Sequence, residues 1–323
     1  MSNPPRSWCE AWSRAATGPA GFWRTASPAA HFRTASTLGP ELADAVSALL
    51  DRHPEVVGVL EVGAGDGRLL AALRAQRPAL WLAGLDLRER PAGLAASVRW
   101  GQDHWDVSTG AWTTGGCRRL LAQAPGPVLV LAVEWLDDLP CPVVLGGADG
   151  RHELDADGVP SRPLSSQTAD WLRAWWPGDG PAEVGRTRDA AWAWLVGALA
   201  AHGGLALMVD YGHERDDRPR TGSLAAYRDG RAAPVLPAPD RNLTAHVAVD
   251  AVQAAGERAG ARTLTRDRQS AALADLLSPA PAGGVLEVLA ARSRRRALTS
   301  AAGWGDHWWL LQQVPPPADP ADL

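Results

Sequence analysis

The sequence predicts an α/β fold built around a parallel sheet, and three observations indicate it. Strand-like apolar segments alternate with helix-like segments over residues 57–145, the pattern of parallel strands joined by right-handed crossover helices. The segment VLEVGAGDGRL, residues 59–69, combines a buried strand, a glycine turn and the start of a helix. The segment WLAGLDL, residues 81–87, predicts the next strand, which ends on the acidic residue Asp86.

The chain before the first strand is predicted to be less regular. Residues 1–45 are expected to form an irregular segment with small helical pieces, and this segment is a candidate lid over the site described below. A helix is predicted at 37–52, because Leu42, Val46 and Leu49 share one face at helical spacing.

The rest of the chain contains further strands, helices and one insertion. Strands are predicted at 57–62, 80–86, 97–100, 128–136, 204–212, 285–291 and 307–313, and helices at 166–176, 186–201 and 247–259. Residues 142–162 predict a β-hairpin with polar turns, so a β-hairpin/helical insertion over about 142–182 is expected within a domain of residues 46–313. The Arg-rich run 292–296 predicts a solvated turn, and residues 314–323 predict a disordered tail.

Composition excludes several classes of function. A net charge of −4 over 323 residues leaves no electrostatic footprint for nucleic acid. No apolar run approaches ~18 residues, so no membrane span is expected. Cys9, Cys117 and Cys141 lie far apart and the histidines are scattered, so neither a disulfide framework nor a metal site is predicted. All 32 basic residues are Arg, which indicates a GC-rich bacterial genome, and a cytoplasmic location is expected.

The spacing of the glycines indicates the class of ligand. Gly63, Gly65 and Gly67 remove Cβ atoms where the backbone turns sharply, and the following helix start presents free N–H groups. A dinucleotide fingerprint requires a third small residue at position 68, which is Arg68 here. The pattern is instead acid-x-G-x-G-x-G, with Glu61 as the acid, and is similar to the first motif of seven-stranded S-adenosylmethionine (AdoMet) methyltransferases.

Four predicted strand ends converge if the sheet is doubly wound. These ends lie at Gly63, Asp86, Glu134 and Asp210. In open α/β sheets the ligand binds beyond the carboxyl ends of the strands. Catalytic groups are therefore expected in EWLDDLP, residues 134–140, and in the DYGH segment that starts at Asp210.

Those two segments resemble motifs of a known family. LAVEWLDDLP, MVDYGH, SLAAYRDGR and LTAHV follow one another as related motifs do in MidA-like AdoMet-dependent methyltransferases, and the resemblance spans about residues 20–312. That family includes the mitochondrial complex I assembly factor that dimethylates an arginine of a complex I subunit. The resemblance therefore implies a seven-stranded Rossmann-like sheet, AdoMet as cofactor, and a protein substrate such as a respiratory complex I subunit.

Three positions depart from the family motifs. Val133 stands where the family has Asn, and Asn242 and Ala248 each stand where the family has Asp. The AdoMet-binding positions match, whereas these polar positions on the substrate side are lost. Three hypotheses therefore remain open: a protein-arginine N-methyltransferase linked to respiratory complex assembly, a small-molecule O- or N-methyltransferase, and a non-catalytic AdoMet-binding assembly factor.

On the donor side, each predicted residue has a defined role. The three glycines let the backbone approach the methionine and ribose portions of AdoMet. Glu61 orients the loop and, through water, the ammonium group, and Asp86 accepts hydrogen bonds from the ribose hydroxyls. The resemblance further implies that Asp106, after the third strand, contacts adenine.

On the acceptor side, the chemistry of the substrate decides which residues are needed. Methyl transfer is an in-line displacement, for which the protein supplies orientation, desolvation and a proton acceptor. A guanidinium acceptor, with a pKa near ~13.8, requires a carboxylate to hold it. Glu134 is the first candidate and Asp137 the second, and His213 is a candidate proton relay.

Overall fold

The computed structural model describes residues 6–26, 34–147, 150–277 and 284–316. The α-helices of these ranges are α1 (Trp8–Thr17), α2 (Phe22–Thr25), α3 (Ala35–Leu38), α4 (Glu41–Arg52), α5 (Arg68–Gln76), α6 (Gly116–Leu121), α7 (Ser166–Trp175), α8 (Arg186–Leu199), α9 (Val249–Arg258), α10 (Gln269–Leu276) and α11 (Val285–Thr299). None of these helices is both long enough and apolar enough to cross a bilayer.

Strands make up the remaining regular structure of the described ranges, apart from two short 3₁₀ turns. They are β1 (Gly58–Val62), β2 (Trp81–Asp86), β3 (Arg99–Gln102), β4 (Trp105–Asp106), β5 (Ala111–Trp112), β6 (Val128–Val133), β7 (Val143–Gly147), β8 (Gly150–Leu154), β9 (Pro160–Pro163), β10 (Ala182–Glu183), β11 (Gly204–Asp210), β12 (Gly212–His213), β13 (Ala225–Arg228), β14 (Arg231–Ala232), β15 (Asn242–Thr244), β16 (Val247–Ala248), β17 (Arg262–Arg268) and β18 (Trp308–Val314).

Seven of these strands form the central sheet, in the order β17-β18-β11-β6-β1-β2-β3. The run from β11 to β3 is parallel, and β18 pairs antiparallel with both β11 and β17. β1, β6 and β11 are buried along their whole length, as parallel strands are when helices cover both faces. The predicted seven-stranded Rossmann-like α/β fold is confirmed.

Apolar layers cover both faces of this sheet. Val59 belongs to one layer and Leu60 to the other, because successive side chains of a strand point to opposite faces. Leu42 of α4 and Leu70 of α5 complete the first layer, and Trp192 of α8 completes the second. Each fully buried Leu contributes about 1.5–3 kcal/mol of transfer free energy. The helices leave the carboxyl ends of the parallel strands as the open edge.

The predicted β-hairpin is part of a second, smaller sheet. Its order is β10-β7-β8-β9, and β7 and β8 pair antiparallel. Helix α7 follows, and the Ser165 side chain accepts a hydrogen bond from Thr168 N at 3.0 Å, which caps the helix N-terminus. Residues 1–5, 27–33, 148–149 and 317–323, on which parts of the predicted irregular segment, hairpin turn and disordered tail fall, lie outside the described residues.

Two predicted elements of the C-terminal region are wrong. Residues 285–291 were expected as a strand and form the start of α11, which also contains the predicted Arg-rich turn. The apolar run VLEVLAA suits either element, and only its continuation to Thr299 distinguishes them. The strand at the sheet edge is instead β17, whose sequence RTLTRDR is too polar to be recognised as a strand.

Two other differences concern the end of β6 and the N-terminal segment. The strand predicted at 128–136 ends at Val133, because Glu134 has φ +47 and leaves the extended conformation. Within the segment expected to be irregular, α1 forms a regular helix that buries Trp8 and Trp12.

Candidate functional site

A cavity of about 790 Å³ lies at the carboxyl ends of β1, β2, β6 and β11. One side is formed by the β1–α5 turn and by residues at the ends of β2 and β3, and we call it the glycine half. The other side, the carboxylate half, is formed by residues 133–140, Tyr211 and residues 242–246. The two halves therefore face each other across the switch point of the sheet, where ligands bind in this class of fold.

The glycine turn is held by backbone hydrogen bonds to β2. Gly63 N and Ala64 N donate to Leu85 O at 2.9 and 3.1 Å. Gly63 and Gly65 have φ +69 and +59, which glycine adopts without strain. A Cβ on Gly63 would lie 2.7 Å from Trp135 Cδ1, whereas a Cβ on Gly65 would meet no protein atom closer than 3.6 Å. A side chain at position 65 would thus occupy the cavity.

Asp86 ties the end of β2 to this turn. Its Oδ2 accepts from Gly65 N at 2.7 Å, and its Oδ1 accepts from Arg88 N at 2.9 Å and Arg88 Nε at 3.2 Å. Each carboxylate oxygen has two acceptor sites, so the oxygen that contacts Gly65 retains capacity for a further hydrogen bond. The position is that expected for a residue that receives a ribose hydroxyl.

Glu61 is a buried acid on β1 that lines the cavity. It is 3 % exposed, and its Oε2 has no hydrogen-bond partner within the described residues. Burial raises the pKa of Glu61 well above its usual value, and the nearby negative charges of Asp86 and Asp66 add to the shift. A buried carboxyl oxygen without a partner is suited to a cationic group such as an ammonium.

Two predicted donor-side residues do not line the cavity. Gly67, with φ +73, starts α5 and packs against Leu94, whose Cδ1 would lie 3.1 Å from a Cβ at that position. The Asp106 carboxylate accepts from Ser108 N and from the hydroxyls of Ser108 and Thr109 at 2.7–2.9 Å. Its contact with adenine stays a prediction that this geometry does not favour.

The acid that lines the cavity at the end of β3 is Asp103. It accepts from Gly116 N at 2.5 Å and Thr114 N at 2.8 Å, so it holds the loop that leads into α6. These hydrogen bonds outweigh its partial burial and lower its pKa. Asp103 directly follows β3, as Asp86 ends β2, and this parallel position was the signal in the sequence that should have identified it.

Three tryptophans form an aromatic wall beside Asp103. Trp112 stacks on Trp135 with ring centroids 5.8 Å apart and planes at 4°, and Trp105 meets Trp112 edge to face at 5.8 Å. All three line the cavity. Such a wall suits a planar ring, and sequence reasoning missed it because the three residues lie on separate segments.

In the carboxylate half, Glu134 turns away from the end of β6. Its N donates to Val209 O at 2.8 Å, and its Oε1 accepts from Ala35 N at 2.6 Å. Burial raises the pKa of Glu134 to about 8; Asp137 adds to the shift and the Ala35 N–H opposes it. Ser13, Thr17 and other residues of the candidate lid also line the cavity, although lid closure remains a prediction.

Asp137 is buried, 3 % exposed, with two hydroxyl donors on one oxygen. Its Oδ2 accepts from Tyr211 Oη and from Thr244 Oγ1, the latter at 2.6 Å. Its Oδ1 has no partner within the described residues. Burial raises the pKa of Asp137 even though the two hydroxyls oppose the shift. The pKa of Tyr211 is also raised well above its usual value, chiefly by burial, so its hydroxyl remains a donor.

Two further acids surround Asp137. Asp210 Oδ2 accepts from Leu136 N and Asp137 N at 3.0 and 3.2 Å, and Asp138 Oδ1 accepts from Asn242 Nδ2 at 2.9 Å. Burial, followed by the negative charge of Asp137, raises the pKa of both acids well above the usual value. Glu134, Asp137 and Asp138 thus line this half with Asp210 buried behind them, and no cationic side chain of the described residues forms an ion pair with the four acids.

Among the described residues, the arginine buried between these loops is Arg188, and it binds backbone instead of a carboxylate. Arg188, 1 % exposed, donates to the carbonyl oxygens of Asp137, Leu139, Ala245 and His246 at 2.6–3.1 Å. Its guanidinium therefore joins the loop after β6 to the loop after β15. It fixes the positions of the carboxyl groups without neutralising them by direct contact.

His213, the predicted proton relay, does not line the cavity. It is 3 % exposed, and its Nδ1 accepts from Arg218 Nη1 at 2.6 Å. Burial, together with the Arg218 charge, lowers the pKa of His213 to about 2, so the ring stays neutral. The histidines that line the cavity are His104, His246 and His307, and the rings of the latter two lie 5.1 and 5.5 Å from that of Tyr211.

The three departures from the family motifs occupy different places. Val133 lines the cavity and gives it an apolar patch, whereas Asn242 lines it and binds Asp138. Ala248 is buried in β16 and pairs with His213, away from the cavity. Only two of the three departures therefore change the lining.

Comparisons with known proteins identify the family and the fold. The model of the family described as "Putative S-adenosyl-L-methionine-dependent methyltransferase" matches residues 86–266, more than half of the chain. A Burkholderia thailandensis structure bound to S-adenosyl-homocysteine is 22 % identical with a TM-score of 0.69, covering 96 % of this chain and 88 % of that one. The native structure of an uncharacterized protein of the same superfamily and organism is 23 % identical, with a TM-score of 0.67 and the same coverage. No curated protein gives a significant match.

Proposed function

This chain belongs to that family of S-adenosyl-L-methionine-dependent methyltransferases, and from this premise we propose that it methylates a side-chain nitrogen of a protein arginine. The observation that carries the choice of acceptor is the group of buried acids Glu134, Asp137, Asp138 and Asp210. Within the described residues none of them forms an ion pair, and the charge of Arg188 offsets the raised pKa of the three Asp residues only in part. A bound guanidinium would supply the missing positive charge and stabilise their ionised forms.

The glycine half fits the methyl donor. AdoMet, when bound, supplies a methyl group already activated on a positively charged sulfur. The turn through Gly63 and Gly65 leaves room for it, Asp86 is placed to receive a ribose hydroxyl, and the unpartnered oxygen of Glu61 suits the ammonium group. The aromatic wall of Trp105, Trp112 and Trp135 lines the cavity beside Asp103 and suits the adenine ring.

The carboxylate half would hold and orient the acceptor. A guanidinium has five N–H donors in a planar arrangement, so carboxylates on neighbouring residues fix both its position and its plane. Asp137, with Oδ2 held by two hydroxyls, presents Oδ1 to such a group. Alignment of one nitrogen in this way provides the orientation on which methyl transfer depends.

A proton must leave the nitrogen that receives the methyl group. As the nitrogen–carbon bond forms and the sulfur–carbon bond breaks, the nitrogen loses one N–H proton. We assign Glu134 as the group that takes this proton, because it lines the cavity at the turn after β6 and Ala35 N–H anchors its Oε1. Binding of the cationic acceptor would lower the raised pKa of Glu134 and prepare its carboxylate.

The protein that would carry the arginine is a subunit or assembly intermediate of a respiratory complex. The ordered motifs shared with the MidA-like methyltransferases support this partner. A second candidate function, small-molecule O- or N-methylation, is favoured by one observation. Val133 gives the cavity an apolar patch beside Glu134, where the family motif has a polar residue.

Methyl transfer from tritiated AdoMet into a lysate of the organism's own deletion strain tests the proposal. Labelled material is separated into protein and small-molecule fractions, and labelled protein is hydrolysed to amino acids. We expect label in methylarginine, and none with Asp137→Asn. Label confined to small molecules would replace the proposal with the second candidate. Absence of label, with AdoMet binding confirmed by calorimetry, would indicate a non-catalytic protein.

A further inference from the structure

Asp138 and Asn242 form a direct contact on the wall of the cavity. Asn242 Nδ2 donates to Asp138 Oδ1 at 2.9 Å, and both residues line the cavity. Asn242 is 6 % exposed, so its amide is fixed by burial as well as by this hydrogen bond. The two residues come from distant segments, the loop after β6 and the start of β15.

Asp138 is held in the same manner as its neighbour Asp137. Asp137 has one oxygen bound to two hydroxyls and the other unpartnered, and Asp138 has one oxygen bound to an amide. Asn242 Nδ2 is the side-chain donor that the described residues provide to Asp138. Both carboxyl groups are thus oriented by neutral donors, which fix the geometry and leave the negative charge for a ligand.

We propose that Asp138, positioned by Asn242, is a second acceptor-binding carboxylate that makes the site select positively charged over neutral acceptors. The inference rests on the proposed function, since it assigns a selectivity residue to the same site. A guanidinium offers donors on all three nitrogens, so Asp137 and Asp138 can each accept from a different nitrogen. Asn242 acts only through Asp138 and is a positioning residue.

The amide at position 242 is needed for the charge at position 138. A carboxyl group in place of the Asn242 amide would lie about 2.9 Å from Asp138 Oδ1. Two carboxylates at that separation share one proton, so a second acid would add no usable charge and would remove the donor. Exchange of the two residue types, by contrast, retains one acid, one amide and one hydrogen bond.

The test uses Asp138→Asn, Asn242→Asp and the double exchange. The probes are N-acetyl-arginine amide and the neutral N-acetyl-citrulline amide, with affinities measured by calorimetry on the S-adenosyl-homocysteine complex. We expect the wild type to prefer the arginine probe at least about tenfold. Each single variant should lose most of that preference, about tenfold, which is the lower end of the range for a hydrogen bond to a charged group. The double exchange should recover most of it, with the affinity for S-adenosyl-homocysteine unchanged throughout.

Asp170→Asn provides the matched control, because Asp170 is an exposed acid, 68 % exposed, on α7. The inference is overturned if the wild type does not distinguish the probes, if Asp138→Asn keeps the full preference, or if a correctly folded double exchange fails to recover it. Failure of the proposed function gives a different result. In that case no methylarginine forms in the labelling experiment, while the calorimetric preference and its rescue by the double exchange persist.

Discussion

The glycine half and the carboxylate half of the cavity are built by different means. In the glycine half, one continuous segment, residues 58–86, supplies β1, the glycine turn, α5 and β2. Backbone N–H groups of Gly63 and Gly65 fix the turn to β2. In the carboxylate half, side chains from the ends of β6, β11 and β15 meet, and Arg188 joins their loops. A local motif thus specifies the first half, whereas tertiary packing specifies the second.

Asp137→Asn should have the largest effect and should act on the carboxylate half alone. The amide keeps the shape but loses the charge, and it disturbs the paired donors Tyr211 and Thr244. We expect kcat/KM to fall by about 10²–10³-fold, within the range for loss of one partner of a buried hydrogen-bonded charge pair. Calorimetry should give an unchanged AdoMet affinity. An equal loss of AdoMet affinity would show that the halves are not separable.

Gly65→Val should act on the glycine half alone. Valine at φ +59 is strained, and its side chain would stand in the cavity. We expect AdoMet affinity to fall by at least about 100-fold. The control is Gly110→Val, at φ +64 with no atom near a Cβ and outside the cavity, which carries the strain without the obstruction. Equal AdoMet affinities for the two variants would contradict the assignment of the turn.

Arg188→Met should lower the stability of the protein through the carboxylate half. The carbonyl oxygens of Leu139, Ala245 and His246 would lose the guanidinium donor, and among the described residues that of Asp137 would keep only Ala245 N. We expect a cost of at least about 3 kcal/mol of unfolding free energy. Denaturant unfolding measures the change. Arg173→Met, at a side chain 75 % exposed, should change it by less than about 0.5 kcal/mol. If Arg188→Met were equally mild, the loops would not depend on this arginine.

The smallest expected effect is a pH dependence set by Glu134. Its pKa of about 8 leaves the carboxyl mostly protonated below that pH, so kcat/KM should rise about fivefold from pH 7 to 8 and level near pH 9. An arginine acceptor stays charged over this range and adds no slope. Glu134→Gln should give a low, flat profile. A rise that persists in this variant would assign the titration to another group.

The raised pKa of Glu134 also makes the stability of the protein depend on pH. The folded state binds the Glu134 proton more tightly than the unfolded chain does, because the pKa rises from 4.5 to about 8 on folding. The Glu134 contribution to stability therefore decreases as the pH rises from about 4.5 to 8. Glu134→Gln should remove that part of the decrease in denaturant unfolding.

In each half the sequence predicted part of the lining: Glu61, Gly63, Gly65 and Asp86 line one half and Glu134 and Asp137 the other, whereas Gly67, Asp106 and His213 line neither. The glycine turn follows from the residue spacing, since glycine adopts positive φ angles without strain. Asp86 follows because it is the acid that ends the next predicted strand. The ring of His213 was misplaced because its orientation depends on Arg218, a partner that no motif specifies. Asp138 was passed over for a similar reason, as its role depends on Asn242, more than a hundred residues away.

The fold shows the same division between local and tertiary information. The buried parallel strands were recognisable from continuous apolar runs, such as that of β6. The edge strand β17 was not recognisable, because its polar sequence lacks an apolar run. The exposed start of α11 was not recognisable either, because its apolar run suits a strand as well as a helix.

A crystal structure of this protein with S-adenosyl-homocysteine tests most directly whether the glycine half binds the methyl donor and the carboxylate half faces the acceptor. We predict ribose hydroxyls hydrogen-bonded to Asp86, the ammonium group at Glu61 and the sulfur directed toward Glu134 and Asp137. A ligand whose sulfur points away from both acids, or whose ribose does not contact Asp86, would contradict the assignment of the two halves.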